Sequence, residues 1–551
     1  MNKVSLLAIL SCLFFSENSW SCTNFIAGKN ATVDGSVLIS YAADSHSLYG
    51  ELYRFPAAKW PEGSWLEIKE WDTGKPLGRI PQAAETYSVI GNMNEYQVSI
   101  GETTYGGREE LVDTTGIMDY GSLIYIALQR SKSARQAIHV MTDLVEKYGY
   151  CSEGESFSIA DANEAWILEM IGKGPDYKGA VWVAVRIPDD CVSGHANQAR
   201  IRQFPLDDPE NCIYAPDVIS FARLKGYFNG TNKEFSFAET YAPLNFSELR
   251  GCEARVWAFF NHVKSGMEAY LPYIKGQTNE AMPLYIKPDH KISAQDMKSY
   301  MRDHYEGTEF DMAGDIGAGP YHVPYRWRPM EFKVDSVEYV NERATATQQT
   351  GFVFVAQMRK WLPNPIGGIL WFGVDDANTA VFVPMYCGIT ETPECYKVGN
   401  GDLLTFSWTS AFWMHNWVAN MCYNKYSYMI KDIRPVQESL ENQFNKEVPE
   451  MDLKARELYT TDTIGTLKIL TEYSCNQAQQ STQRWKELGE RLMVKYIDGN
   501  VKKEKNGQFL RNNWGQPAFP DQPGYDEKYY RNIAKETGDK LKVTKTIHDK
   551  N

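Results

Sequence analysis

Two stretches patterned for helix interrupt a series of strand-like runs, and this order restricts the fold more than any other feature of the chain. YGSLIYIALQR (residues 120–130) and SARQAIHVMTDLVEKYG (133–149) carry apolar residues at helical spacing, and Ser133 is a suitable N-cap for the second. Before them stand YSVIGN and YQVSIGET; after them come FSIADA, AWILEMI and AVWVAVRI, with ANE (162–164) as a turn. Strands, two helices and strands again predict sheets covered by helices. Nearer the start, TNFIAGK (23–29) and SVLISYA (36–42) flank NATVDG, where Asp34 and Gly35 supply turn chemistry, and they predict a hairpin. Pairing centred on that loop sets Lys29 opposite Ser36 and Cys22 opposite Ala43, beside Asp44. A tighter turn at Asp34 and Gly35 alone shifts the register by a few residues.

A later group, TGFVFVAQMR, GGILWFGV and TAVFVPMY, returns to strands, with DDAN (375–378) as a turn. From SAFWMHNWVANMCYNKYSYMI (410–430) onward the pattern is helical, and residues 452–497 form a long amphipathic stretch without proline. Residues 211–329, rich in aromatics, Gly and Pro, have weak periodicity and read as an irregular elaboration. The resulting division is a leader at 1–21, a main unit at 22–405 with an insertion near 211–329, a helical region at 406–527 packed on it, and a lysine-rich solvated tail at 528–551.

The leader has the layout of a signal peptide: Lys3, the apolar VSLLAILSCLFF, then SENSWS. Ser19 and Ser21 occupy the −3 and −1 positions of a cut before Cys22, so export to the periplasm or the outside is expected. The apolar run falls short of the roughly 20 residues of a membrane span. A net charge of −13 disfavours nucleic acid and stable membrane insertion or attachment to an anionic surface, and a homo-oligomer is left open. Of ten cysteines, eight remain once Cys12 and Cys22 are set aside, an even number suited to disulfides in an oxidising compartment. Neither CxxC nor HExxH occurs, so no motif calls for a zinc site.

Cleavage before Cys22 would place a thiol and a free α-amine on one residue. An α-amine with a pKa of about 8 can accept the thiol proton, directly or through one water, and later protonate a leaving nitrogen. Such a residue hydrolyses amides without a histidine base, so His195 is read as structural. Two other uses compete: Cys22 in a disulfide of a non-catalytic binding protein, or a lipidated cysteine. SWSC lacks the aliphatic residue usual three before a lipidated cysteine; AILSC, ending at Cys12, fits better and would leave Cys22 internal. In GETTYGGREE, Glu102, Thr103 and Arg108 are candidates in a glycine-containing loop for anchoring a small peptide's amine or carboxylate. Asp375 and Asp376 read as turn residues, and the aromatics of FWMHNW as a buried helix.

Five blocks taken together, CTNFIAGKNATVDGSVLISYAADSH, GHANQARI, YEGTEFDMAGDIGAGPYHVPYRWRP, TQQTGFVFVAQMRKWLPNPIGGILWFGVDDANTAVFVPMY and SAFWMHNWVAN, resemble the cysteine dipeptidases of the dipeptidase A and secernin group within the N-terminal nucleophile hydrolases. The resemblance spans Cys22 to Asn420. It implies an α+β fold, a four-layer αββα sandwich of two antiparallel sheets whose nucleophile begins a central strand, acting on dipeptides without a cofactor. It further implies Cys22 as nucleophile, Asp44 as the carboxylate holding its amine, and Asn197 as an oxyanion donor. The more distant penicillin V acylases and bile salt hydrolases carry an arginine shortly before the aspartate; here the residues are Ser40, Tyr41, Ala42 and Ala43, which weighs against acylase substrates, and an amidase or acylase acting on N-acylated amino acids or bile-salt- or penicillin-type amides stands as the alternative reading. N-terminal sequencing of the exported protein is expected to read Cys22, Thr23, Asn24; a mature chain starting elsewhere would leave only the non-catalytic reading.

Overall fold

The computed structural model of the chain describes residues 22–544; the leader with Cys12 and the end of the tail lie outside the described residues. The predicted hairpin forms between Thr23–Ala27 and Val37–Asp44, in the register centred on the six-residue loop, with Thr23 opposite Ala42 and Ile26 opposite Ile39. Continuing that register sets Cys22 against Ala43, next to Asp44.

The hairpin lies inside a seven-stranded antiparallel sheet ordered Tyr285–Ile286, Val192–His195, Thr23–Ala27, Val37–Asp44, Thr350–Met358, Gly368–Val374 and Val383–Tyr386. A second, eight-stranded antiparallel sheet has Ala180–Ile187, Ala165–Gly172, Gly154–Ala160 and Ser99–Tyr105 as its long strands. Every residue of Val37–Asp44, Gly154–Ala160, Ala165–Gly172 and Thr350–Met358 is buried. Strands covered on both faces read as continuous apolar runs rather than alternating ones, which is why the sequence marks them so clearly.

The two sheets face each other closely. A β-carbon at Gly101 would come within 2.3 Å of Asn24 Oδ1, so only glycine permits the approach. Asn24 Nδ2 donates to Glu102 O at 2.6 Å across the gap, and Ser156 Oγ donates to Gln198 O at 3.2 Å. The helices Tyr120–Arg130 and Ala134–Tyr148 have their predicted extents, the second capped by Ser133, and share a core with Ile159, Trp166 and Leu168 of the second sheet. On the first sheet, Phe25 stacks on Phe259 of the helix Ala254–Val263 with centroids 4.3 Å apart.

Other expectations are corrected. TAVFVPMY enters the sheet only at Val383, because side chains take the backbone groups upstream: Phe382 N donates to Glu441 Oε1, and Ala380 O accepts from Gln437 Nε2 and Arg302 Nη2. The helical region comprises Ala411–Asn424, Tyr426–Tyr459 and Thr463–Tyr496, interrupted where Asp462 caps the last of these by accepting from Gly465 N. No α-helix lies in residues 500–526, whereas Glu527–Thr537 is helical where a loose tail is expected. All nine cysteines among the described residues are free thiols, so the expected disulfides do not form there. No helix among the described residues is long and apolar enough to cross a membrane.

One buried ion pair joins the helical region to the first sheet. Arg359 reaches Asp452 with both terminal nitrogens and donates to Gly367 O and Ile366 O, while Tyr386 Oη donates to Asp452 Oδ1 at 2.8 Å. Removing one partner of a buried pair leaves the other uncompensated, so Arg359→Ala is expected to lower stability by about 3 kcal/mol, read by urea denaturation.

Candidate functional site

Cys22 stands immediately before the first strand of the hairpin and is only 8% exposed. Its Sγ lies 3.5 Å from Glu102 Oε1 and 3.7 Å from Tyr41 Oη, and Tyr41 in turn donates to Glu102 Oε1. These residues line a small cleft of about 40 Å³ together with Asp72, Tyr120 and Phe352. Burial first, then the carboxylates of Glu102 and Asp44, push the Cys22 thiol well above its ordinary pKa. The thiol is therefore not a standing thiolate, and reaction through it needs a base close by.

Asp44 is fully buried at the end of its strand. Its Oδ1 accepts from Thr350 Oγ1 at 2.6 Å and its Oδ2 from Arg343. Burial raises its carboxyl above the usual range, opposed by the Arg343 guanidinium. Thr350 pairs directly with Asp44 in the sheet, so this anchorage exists only because a strand some three hundred residues later lies alongside the hairpin.

The side chain that organises the site is Arg255, which the sequence reading passed over. It is fully buried, and each of its five N–H groups has an acceptor: Nε donates to Gly251 O, Nη1 to Cys22 O at 2.6 Å and Thr23 Oγ1 at 2.8 Å, and Nη2 to Ala196 O at 2.8 Å and Asn197 Oδ1 at 2.9 Å. Burial lowers its pKa to about 10, so it stays cationic at neutral pH. Asn197, at φ +64°, also donates through Nδ2 to Thr104 O at 2.7 Å. Cys22, Asp44, Glu102 and Asn197 are thus brought into one neighbourhood.

Thr103 and Arg108 are not brought to the cleft. Glu102 and Thr103 belong to the buried strand Ser99–Tyr105 rather than to a loop, because all seven residues pair with Gly154–Ala160. Thr103 Oγ1 is bound to His195 Nδ1 at 2.7 Å. Arg108 follows the strand but turns away, donating to Thr240 O and lying over the Tyr227 ring. His195 also meets Ser158 Oγ through Nε2 at 2.7 Å, and burial, then Arg200, lower its pKa to about 3. It is a neutral bridge between the sheets, not a base for Cys22. Asp375 and Asp376 do form a turn but are buried, with Asp376 Oδ2 accepting from Tyr325 and Tyr423. No cluster of three or more His, Cys, Asp or Glu suited to a metal occurs among the described residues.

Besides Arg255, sequence reasoning missed Arg343, Tyr41 and Glu155. One signal was available: ARVWAFFNHV (254–263) is apolar apart from Arg255, Asn261 and His262, and a cation placed among such residues calls for buried partners. The turn before it, Leu249–Glu253, is π-helical, a local widening common at functional sites. Tyr41 sits three residues before Asp44, in the segment where acylases carry arginine, so a neutral phenol faces the thiol here.

A cysteine in a cleft, fixed through its own carbonyl by a buried arginine and flanked by carboxylates, is the kind of site found in thiol hydrolases. The sequence pattern of Peptidase family C69 matches residues 53–439. The chain belongs to that family of cysteine-type peptidases, which bears out the resemblance read from the five blocks. It is 27% identical over 394 residues to a "Probable dipeptidase" of Salmonella dublin, covering 67% of this chain and 81% of that protein. It is 24% identical over 429 residues to a "Probable dipeptidase" of Latilactobacillus sakei (74% and 82%), and 24% identical over 447 residues to a "Dipeptidase" of Bifidobacterium longum (73% and 77%).

The depressed pKa of His195 has a thermodynamic consequence. Between pH 6.5 and about 3 the unfolded chain binds a proton at this residue that the folded protein does not, so its contribution to stability is complete above pH 6.5 and is lost as pH falls toward 3. His195→Gln is expected to make the acid-side decline of urea stability shallower; an unchanged slope would show that His195 is protonated in the fold.

Proposed function

We propose that the protein is an exported dipeptidase whose nucleophile is Cys22, unmasked when the leader is cut after Ser21. The observation that carries this reading is the fixing of Cys22: its carbonyl is held by Arg255, its sulfur faces a cleft, and Asp44 stands beside it in the sheet. The family and the names of the three relatives support dipeptides as the substrates. The facing antiparallel sheets with helices packed against each support the finer assignment of a four-layer αββα N-terminal nucleophile hydrolase, with 22–405 as its catalytic unit.

In this mechanism the liberated α-amine accepts the Cys22 proton, directly or through water, and Sγ attacks the scissile carbonyl carbon. The amine then delivers that proton to the leaving nitrogen. Water, deprotonated in the same way, hydrolyses the thioester and regenerates the thiol. Asp44 holds the amine. Asn197 has one amide hydrogen engaged by Thr104 O and a second for the oxyanion, where a preorganised donor contributes about 3 kcal/mol. Arg255 orients both Cys22 and Asn197.

Processed Cys22→Ser is expected to lose about 10³-fold or more in kcat/KM on a dipeptide panel. Cys395→Ser, altering a buried thiol outside the cleft, should change stability at most. Equal losses from the two, or full activity in a chain that cannot be cut at Ser21, would overturn the mechanism.

A further inference from the structure

The charge lining the cleft is one-sided. Among the described lining residues the charged side chains are Asp44, Asp72 and Glu102, with no Lys or Arg. Asp44 is engaged by Arg343 and Thr350, and Asp72 Oδ1 accepts from Tyr120 Oη at 2.9 Å. Glu102 differs. It is 2% exposed, and its Oε1 takes both Tyr41 and the Cys22 thiol.

Glu155 lies beside Glu102 on the neighbouring strand. It is fully buried, and burial, then the charge of Glu102 and a side-chain hydrogen bond with it, hold the Glu155 carboxyl well above the ordinary range. Thr104 Oγ1 donates to Glu155 Oε2 at 3.0 Å and keeps it in place.

From this geometry we infer that Glu102 is the binding residue for the free α-ammonium group of the substrate's first residue. The inference rests on the dipeptidase reading and deepens it. In a peptide the ammonium nitrogen and the adjacent carbonyl carbon share one α-carbon and lie about 2.5 Å apart. A sulfur poised to attack that carbon stands about 3.3 Å from it. A carboxylate oxygen 3.5 Å from the sulfur can therefore come within hydrogen-bonding reach, about 2.8 Å, of the ammonium nitrogen while attack proceeds. Glu102 thus specifies cleavage after a residue with an unblocked amine. An N-acyl group at that nitrogen removes the charge and sets bulk against Glu102 and Tyr41. The acidic lining likewise selects a cation rather than a carboxylate for the inner end of the cleft.

The test uses the processed enzyme with two substrates differing only in the amine: Ala-Ala and its des-amino analogue propionyl-alanine. Wild type is expected to prefer Ala-Ala by about 10³-fold or more, as sites built to bind a polar substrate group do. Glu102→Gln should lose at least tenfold more in kcat/KM on Ala-Ala than on propionyl-alanine, mainly through KM. Alkylation of Cys22 by iodoacetamide, followed by mass spectrometry, reports the nucleophile in each form. Equal hydrolysis of both substrates by wild type overturns the inference even if the variant does not fold. Equal losses on both substrates in Glu102→Gln also overturn it, showing that Glu102 acts on the enzyme's own thiol or amine while leaving the dipeptidase reading intact. No hydrolysis of either substrate by processed wild type overturns both.

Discussion

Arg255 is the constraint on which the site depends. A guanidinium removed from water is tolerated only when its donors are all engaged, and the five acceptors of Arg255 come from three separate parts of the chain: the turn at Gly251, the start of the hairpin at Cys22 and Thr23, and the segment after Val192–His195 at Ala196 and Asn197. Because the planar fork satisfies all of them only in one arrangement, it fixes the residue before the first strand relative to Asn197. Arg343 does the same for Asp44 from a segment just before Thr350–Met358. The two cations offset the buried negative charge of Asp44.

That compensation divides the site. Cations bind its inner wall through backbone carbonyls and Asp44, while the surface facing the cleft is acidic. With Tyr41 where acylases have arginine, and Glu102 beside the sulfur, the thiol is pushed up rather than down in pKa. A nucleophile in such surroundings cannot rely on a nearby cation for activation, which makes a base on its own backbone nitrogen the coherent partner. The same acidity accounts for why a small positively charged amine, rather than an acyl chain, matches the inner end.

Much of the scaffold was legible because its signals are local. The helices 120–130 and 134–148 have caps and clear periodicity, and the hairpin follows from its turn residues, the structure adopting the first of the two registers they allow. Where contacts from distant residues override the local pattern, reading failed. Thr379–Phe382 looks like strand but gives its backbone groups to Glu441, Gln437 and Arg302. Thr103 looks like a loop ligand but is sealed against His195. Cysteine parity suggested disulfides, yet all nine thiols among the described residues are unbridged.

By itself the sequence determined sheets covered by helices, the helical C-terminal region and the proximity of Cys22 to Asp44, since periodicity, capping and turn chemistry are carried by neighbouring residues. Only the tertiary structure decided what surrounds that pair. Arg255, Arg343, Thr350 and Glu102 reach it from three distant segments, and desolvation, which sets the charge of each group, is a property of packing that no single segment encodes.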